Sequence, residues 1–105
     1  MAFDSAALLK KLPEINLIVE RTVREKVVKV WEKALQRGGW TIDDLDKIPC
    51  TLLIKECNIS FCEHTRGVTK TAIAMAKAIS ETYHERIKLN MDYLTAGALL
   101  HDVGK

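Results

Sequence analysis

Apolar side chains recur along this chain every three or four residues, the repeat of an α-helix. No stretch alternates at period two with turn residues at both ends, as a half-buried strand would. The pattern therefore predicts an all-α helical bundle. Asp4 or Ser5 can cap a short opening helix that runs to Lys11. Pro13 suits the first turn of a second helix, where its missing N–H costs nothing. From there to Arg37 the stripe reads Ile15, Val19, Val23, Val27, Val30, Trp31 and Ala34, with Arg21, Glu25, Lys29, Glu32 and Lys33 opposite. Gly38 and Gly39 stop that helix. Thr41 and Asp44 have the spacing of a helix start, so TIDDLDKI makes a short helix ending before Pro49. The segment CTLLIKECN, from Cys50 to Asn58, reads equally as one or two helical turns or as an extended connector.

Ser60 and Glu63 form an S-x-x-E capping box at the head of a long helix to about Tyr83. Its apolar stripe is Phe61, His64, Val68, Ala72, Met75, Ala76, Ile79 and Tyr83. Asn90 is a good N-cap for a final helix, MDYLTAGALLHD, which is apolar nearly all round from Leu94 to Leu100 and is expected at the centre of the bundle. Gly97 lowers its helix propensity but would let a neighbouring helix approach closely, and Gly104 breaks it. A helix with Leu94, Ala96, Ala98, Leu99 and Leu100 on every side leaves an apolar patch unless other helices cover it. That predicts a homo-oligomer.

Composition narrows the class without changing this picture. A chain of 105 residues makes one small domain. Sixteen basic against fourteen acidic residues give a net charge of +2, and the signs alternate along the chain, as in Glu20-Arg21 and Arg24-Glu25-Lys26. This argues for solvated helix faces and against a nucleic-acid or membrane-surface stripe. No apolar run approaches the roughly 20 residues of a membrane span. The start, MAFDSAALLKKLPE, lacks the basic region and apolar core of a secretory signal. Cys50, Cys57 and Cys62 follow no disulfide framework, which fits a cytoplasmic protein.

Two polar features sit where apolar residues are expected. His64 lies on the apolar stripe of its helix, and His101-Asp102 follows AGALL, the most apolar stretch of the chain. His101 is expected to point inward with Leu94, Gly97 and Ala98. Burying an ionised Asp without a partner is costly, and a cationic side chain, hydrogen bonds or a metal are the remedies. A single histidine on an apolar stripe is most often a satisfied core residue, and a His-Asp pair at a helix end can be ordinary capping. Two imidazoles and a carboxylate on adjacent helices also make a ligand set suited to a divalent metal, and residue types alone leave both readings open. Cys57, Cys62 and His64 offer a competing zinc cluster, with three ligands only. Trp31 and Trp40 read as core and helix-end packing, Arg66 as a solvated cation or one facing a phosphate, and His84 as a complement to its helix dipole.

The motif around His64, E-H-T-R-x-V-x-x-x-A-x-A-x-A-x-A, together with A-G-A-L-L-H-D-V-G-K ending at Lys105, whose His101 lies 37 positions after His64, resembles the HD superfamily of phosphohydrolases. HDVGK is similar to the subset that includes the HD-GYP cyclic-dinucleotide phosphodiesterases. The resemblance covers residues 60–105 and implies the N-terminal half of an HD-type core, preceded in 1–59 by helices of unassigned role. It implies His64, His101 and Asp102 as ligands of a divalent ion, whether Fe, Mn, Ni, Co, Zn or Mg. It places Lys105 against substrate phosphate, with Asp102 and Lys105 as the catalytic pair and Gly104 allowing the turn between them. The implied activity is hydrolysis of a phosphoester, of a nucleotide or another phosphorylated small molecule. The family's last Asp ligand would lie beyond Lys105, and Asp92 and Glu63 do not replace it: Asp92 is about two and a half turns from His101, and Glu63 is engaged in the cap. The chain is thus expected to be part of a longer enzyme, with little activity by itself. The alternative is a non-catalytic helical module for binding or oligomerisation derived from an HD domain.

Overall fold

The computed structural model describes residues 4–49, 58–84, 86 and 88–103. Among them are four α-helices, α1 (Ser5–Lys11), α2 (Arg21–Gly38), α3 (Phe61–Thr82) and α4 (Met91–Leu100), and two 3₁₀ helices, Pro13–Leu17 and Ile42–Asp46. The all-α expectation holds. Most of Cys50–Asn58, together with Gly104 and Lys105, lies outside the described residues.

The helix starts follow the local chemistry of the sequence. Asp4 caps α1 by accepting from the Ala7 N–H. Asn90 caps α4 by accepting from Tyr93, and Ser60 and Glu63 close a reciprocal box at the head of α3. Thr41 and Asp44 form a second such box, and the Thr41 N–H and hydroxyl hold the Asp44 carboxyl below its ordinary pKa. Gly39 ends α2 with φ +70, a left-handed conformation that a Cβ would penalise.

The single helix expected from Pro13 to Arg37 is instead two. A 3₁₀ turn buries Ile15, the chain then extends through Ile18 to Glu20, and α2 begins at Arg21. Three of the backbone groups at the break take side-chain partners. Both oxygens of Asp92 accept, from the Val19 and Glu20 N–H groups at 2.9 Å each, and Arg24 donates to the Ile18 carbonyl at 3.2 Å. With the break, Val19 leaves the stripe and is 85% exposed. Val30 also faces outward, and Leu35 joins Val27 and Trp31 as the buried face of α2.

α3 is rotated from the expected orientation. Its buried side is Phe61, Cys62, Thr65, Thr69 and Ala76, while Met75, Ile79 and Tyr83 of the apolar stripe are exposed. Thr69 can be buried because its hydroxyl donates to the Thr65 carbonyl one turn back, at 2.7 Å. α4 packs against α3, α2 and the first 3₁₀ helix, burying Thr95, Ala96 and Leu99. The central place expected for α4 is borne out, but the N-terminal helices cover the apolar surface that was expected to stay open on it. The uncovered apolar stripe lies on α3. Gly97 is exposed with no heavy atom near its missing Cβ, so the expected close helix approach there does not occur.

One apolar cluster joins Leu8, Leu12, Ile15 and Ile18 to Val27, Trp31, Leu35, Leu45, Phe61 and Leu99. A buried carboxylate ties the N-terminal segment to α3. Glu14, 5% exposed, receives the Arg66 Nε at 3.0 and 3.2 Å, with the Lys70 ammonium at 3.9 Å. Arg66 is therefore neither a free solvated cation nor turned to a phosphate. Its charge is spent on a buried acid that sequence reading did not single out.

Candidate metal centre

The first turn of α3 and the last turn of α4 meet at one end of the molecule. The Ser60–Glu63 box fixes the register of α3, and the Phe61 N–H bonds the Ile48 carbonyl, so His64 projects from a turn anchored at both sides. Beyond Leu100 the chain tightens, with Val103 N–H bonding the Leu100 carbonyl, and this turn swings Asp102 back between two imidazoles.

The Asp102 Oδ2 lies 3.1 Å from His64 Nε2 and 3.0 Å from His101 Nε2. The rings are 5.4 Å apart between centroids, tilted by 53°. One ligand atom from each of the three residues falls within 4.8 Å of the others. The Asp102 side chain is 15% exposed and the two imidazoles about a third, so the cluster is a shallow recess open to solvent. His101 thus does not point into the core with Leu94 and Ala98. It caps the end of α4 at the surface and meets His64 there.

The hydrogen bonds define what this cluster can hold. His101 Nδ1 lies 2.6 Å from the Ala98 carbonyl, which can only accept, so Nδ1 carries the proton. The same contact orients the ring as a carbonyl behind a metal-bound histidine does. A neutral His101 then presents a bare lone pair at Nε2, facing a carboxylate oxygen. Two acceptors at 3.0 Å repel unless a cation, either a proton or a metal ion, lies between or beside them. The spacing also suits an ion: ligand atoms about 2.1 Å from a metal and at right angles to each other are about 3 Å apart. The carbonyl end of the α4 dipole adds negative potential at the same place. The donor set therefore fits a borderline divalent ion.

Other candidates fall elsewhere. Asp92 is at the far end of α4 and caps the break before α2, and Glu63 serves the α3 cap. Cys62 is buried and its thiol donates to the Lys11 carbonyl. Burial, and then the Asp46 carboxylate, push the thiol up to about 11, so it is a poor ligand, and Cys57 lies outside the described residues. His84, at the end of α3, takes a positive φ of 52. No described helix is long and apolar enough to cross a membrane.

A stretch of 43 residues is 51% identical to the dihydroneopterin 2',3'-cyclic phosphate phosphodiesterase of Methanocaldococcus jannaschii. It amounts to 41% of this chain and 16% of that relative. No protein-family model matches the chain, and no solved structure matches it.

Proposed function

We propose that this chain is the N-terminal part of an HD-type metal-dependent phosphohydrolase, with His64, His101 and Asp102 as three ligands of a divalent ion. The observation that carries the reading is the convergence of the three residues on one point. The similarity to a phosphodiesterase supports phosphoester hydrolysis as the reaction. One oxygen of Asp102 lies within 3.1 Å of the Nε2 atoms of both imidazoles, and the Ala98 carbonyl holds His101 with Nε2 turned away from it. Three protein ligands would leave room on a bound ion for a further carboxylate, for water and for substrate. A bound ion would supply Lewis acidity at a phosphoryl oxygen and lower the pKa of water for attack on phosphorus. Lys105 is proposed to oppose phosphate charge next to the ligands. The substrate we favour is a nucleotide phosphoester, and the compartment the cytoplasm.

Elemental analysis of the full-length enzyme tests the ligand set. About one equivalent of a transition metal or zinc is expected in the wild type and none in His101→Ala or Asp102→Ala. Stoichiometric metal retained in both variants would overturn the assignment. Hydrolysis of a 2',3'-cyclic phosphate that depends on added metal and on His101 tests the reaction.

A second reading, a helical module that associates with itself, rests on the exposed α3 stripe, where Met75 is 60% exposed. The two are compatible in one protein, and light scattering tests the association.

A further inference from the structure

A recess of about 510 Å³ opens between the C-terminal half of α2, the second 3₁₀ helix, the start of α3 and Val103, the residue that follows Asp102. Trp31, Ala34 and Leu45 line it with Phe61, and Arg37 and Trp40 stand at its exposed rim. Its volume and aromatic walls are those of a small-molecule site. The described lining includes no carboxylate and one cation, Arg37.

The second observation is an unanswered donor. Trp31 is 2% exposed, and its indole Nε1 has no hydrogen-bond partner among the described residues. Its T-shaped contact with Phe61, at 5.9 Å, is ring packing and supplies no oxygen or nitrogen acceptor. A buried indole N–H ordinarily finds an acceptor, so an unmatched one in the wall of an apolar recess marks where a ligand acceptor fits.

We infer that this recess binds a small organic anion with a flat apolar body. The body fills the space beside Trp31 and Phe61, an acceptor atom takes the Trp31 N–H, and the anionic group faces Arg37. The site borders the metal centre through Val103, but the inference does not rest on the reaction proposed there.

The test is a titration of the ¹⁵N-labelled chain with 1-naphthoate and its uncharged analogue 1-naphthamide, following the two indole N–H signals. Trp31→Phe assigns the Trp31 signal by removing it. The Trp31 signal is expected to move saturably, at one site, with both probes. Arg37→Gln should weaken 1-naphthoate about three- to fivefold, the range of an exposed charge pair, and leave 1-naphthamide unchanged. Ala34→Leu, a helix-compatible filling of the recess, should abolish both titrations while the circular dichroism spectrum is retained. Trp31→Phe, followed by calorimetry, should weaken both probes through loss of the donor. Three results would each overturn the inference: no saturable shift at millimolar probe, undiminished binding in a folded Ala34→Leu variant, or nuclear Overhauser contacts in the free protein showing residues 50–57 packed on the Trp31 N–H.

Discussion

Replacing Asp92 with alanine tests whether a single carboxylate holds the junction between the two N-terminal helices. In the native fold its two oxygens accept the Val19 and Glu20 N–H groups, both at 2.9 Å, across more than 70 residues of sequence. Alanine leaves both donors facing the start of α4 without an acceptor. Loss of an N-terminal cap costs about 0.5–2 kcal/mol. The missing negative charge at the α2 N-terminus adds about 0.3–1 kcal/mol. Because Asp92 is half-buried, water replaces part of the lost bonding, and a total of about 2 kcal/mol is expected. For a domain of this size that corresponds to a fall in Tm of about 8–16 °C. Asp92→Asn keeps one acceptor and should cost about half as much. Urea unfolding monitored by circular dichroism reads both variants. A loss below about 0.5 kcal/mol for Asp92→Ala, the level of an ordinary surface change, would show that the two N–H groups are satisfied by solvent and that the break has another cause. Metal affinity should be unchanged in the folded variant, since Asp92 and His101 lie at opposite ends of α4.

Glu14→Gln should destabilise the fold by about 1–2 kcal/mol, because the Arg66 guanidinium loses its buried counter-charge; a double-mutant cycle with Arg66→Gln that shows no coupling would refute the pairing. In a Cys50→Ser, Cys57→Ser background, Cys62 should resist a thiol reagent at pH 8 until the chain unfolds, and rapid native labelling would contradict its burial. Its folded pKa, raised to about 11, lies above the unfolded value of 9.0, so its stabilising contribution is complete below pH 9 and is lost as the pH rises towards 11. Unfolding free energies at pH 8 and pH 10 check that sign. Met75→Glu together with Ile79→Lys should shift the chain from dimer or larger towards monomer in light scattering, and a wild-type monomer at micromolar concentration would remove the case for association through α3.

Chemistry confined to one turn of helix was legible in the sequence. The caps at Asp4, Thr41, Ser60 and Asn90, and the stop at Gly39, depend on side chains within three residues of the backbone groups they satisfy, so neighbouring residue types settle them. Residue types alone left His64, His101 and Asp102 open between ordinary packing or capping and metal binding, and it was the resemblance of the two motifs around them that singled them out as candidate ligands. Tertiary structure alone decided three other features. The helix break at Ile18–Glu20 depends on Asp92, too distant in sequence for periodicity to register. The rotation of α3 goes with the burial of Thr69, whose hydroxyl bonds its own helix, while more hydrophobic side chains stay outside. The convergence of His64 with His101 and Asp102 depends on how the first turn of α3 meets the last turn of α4. Periodicity shows that a helix has an apolar face, but which helix covers it, and by what rotation, is set by the fit of all the faces at once.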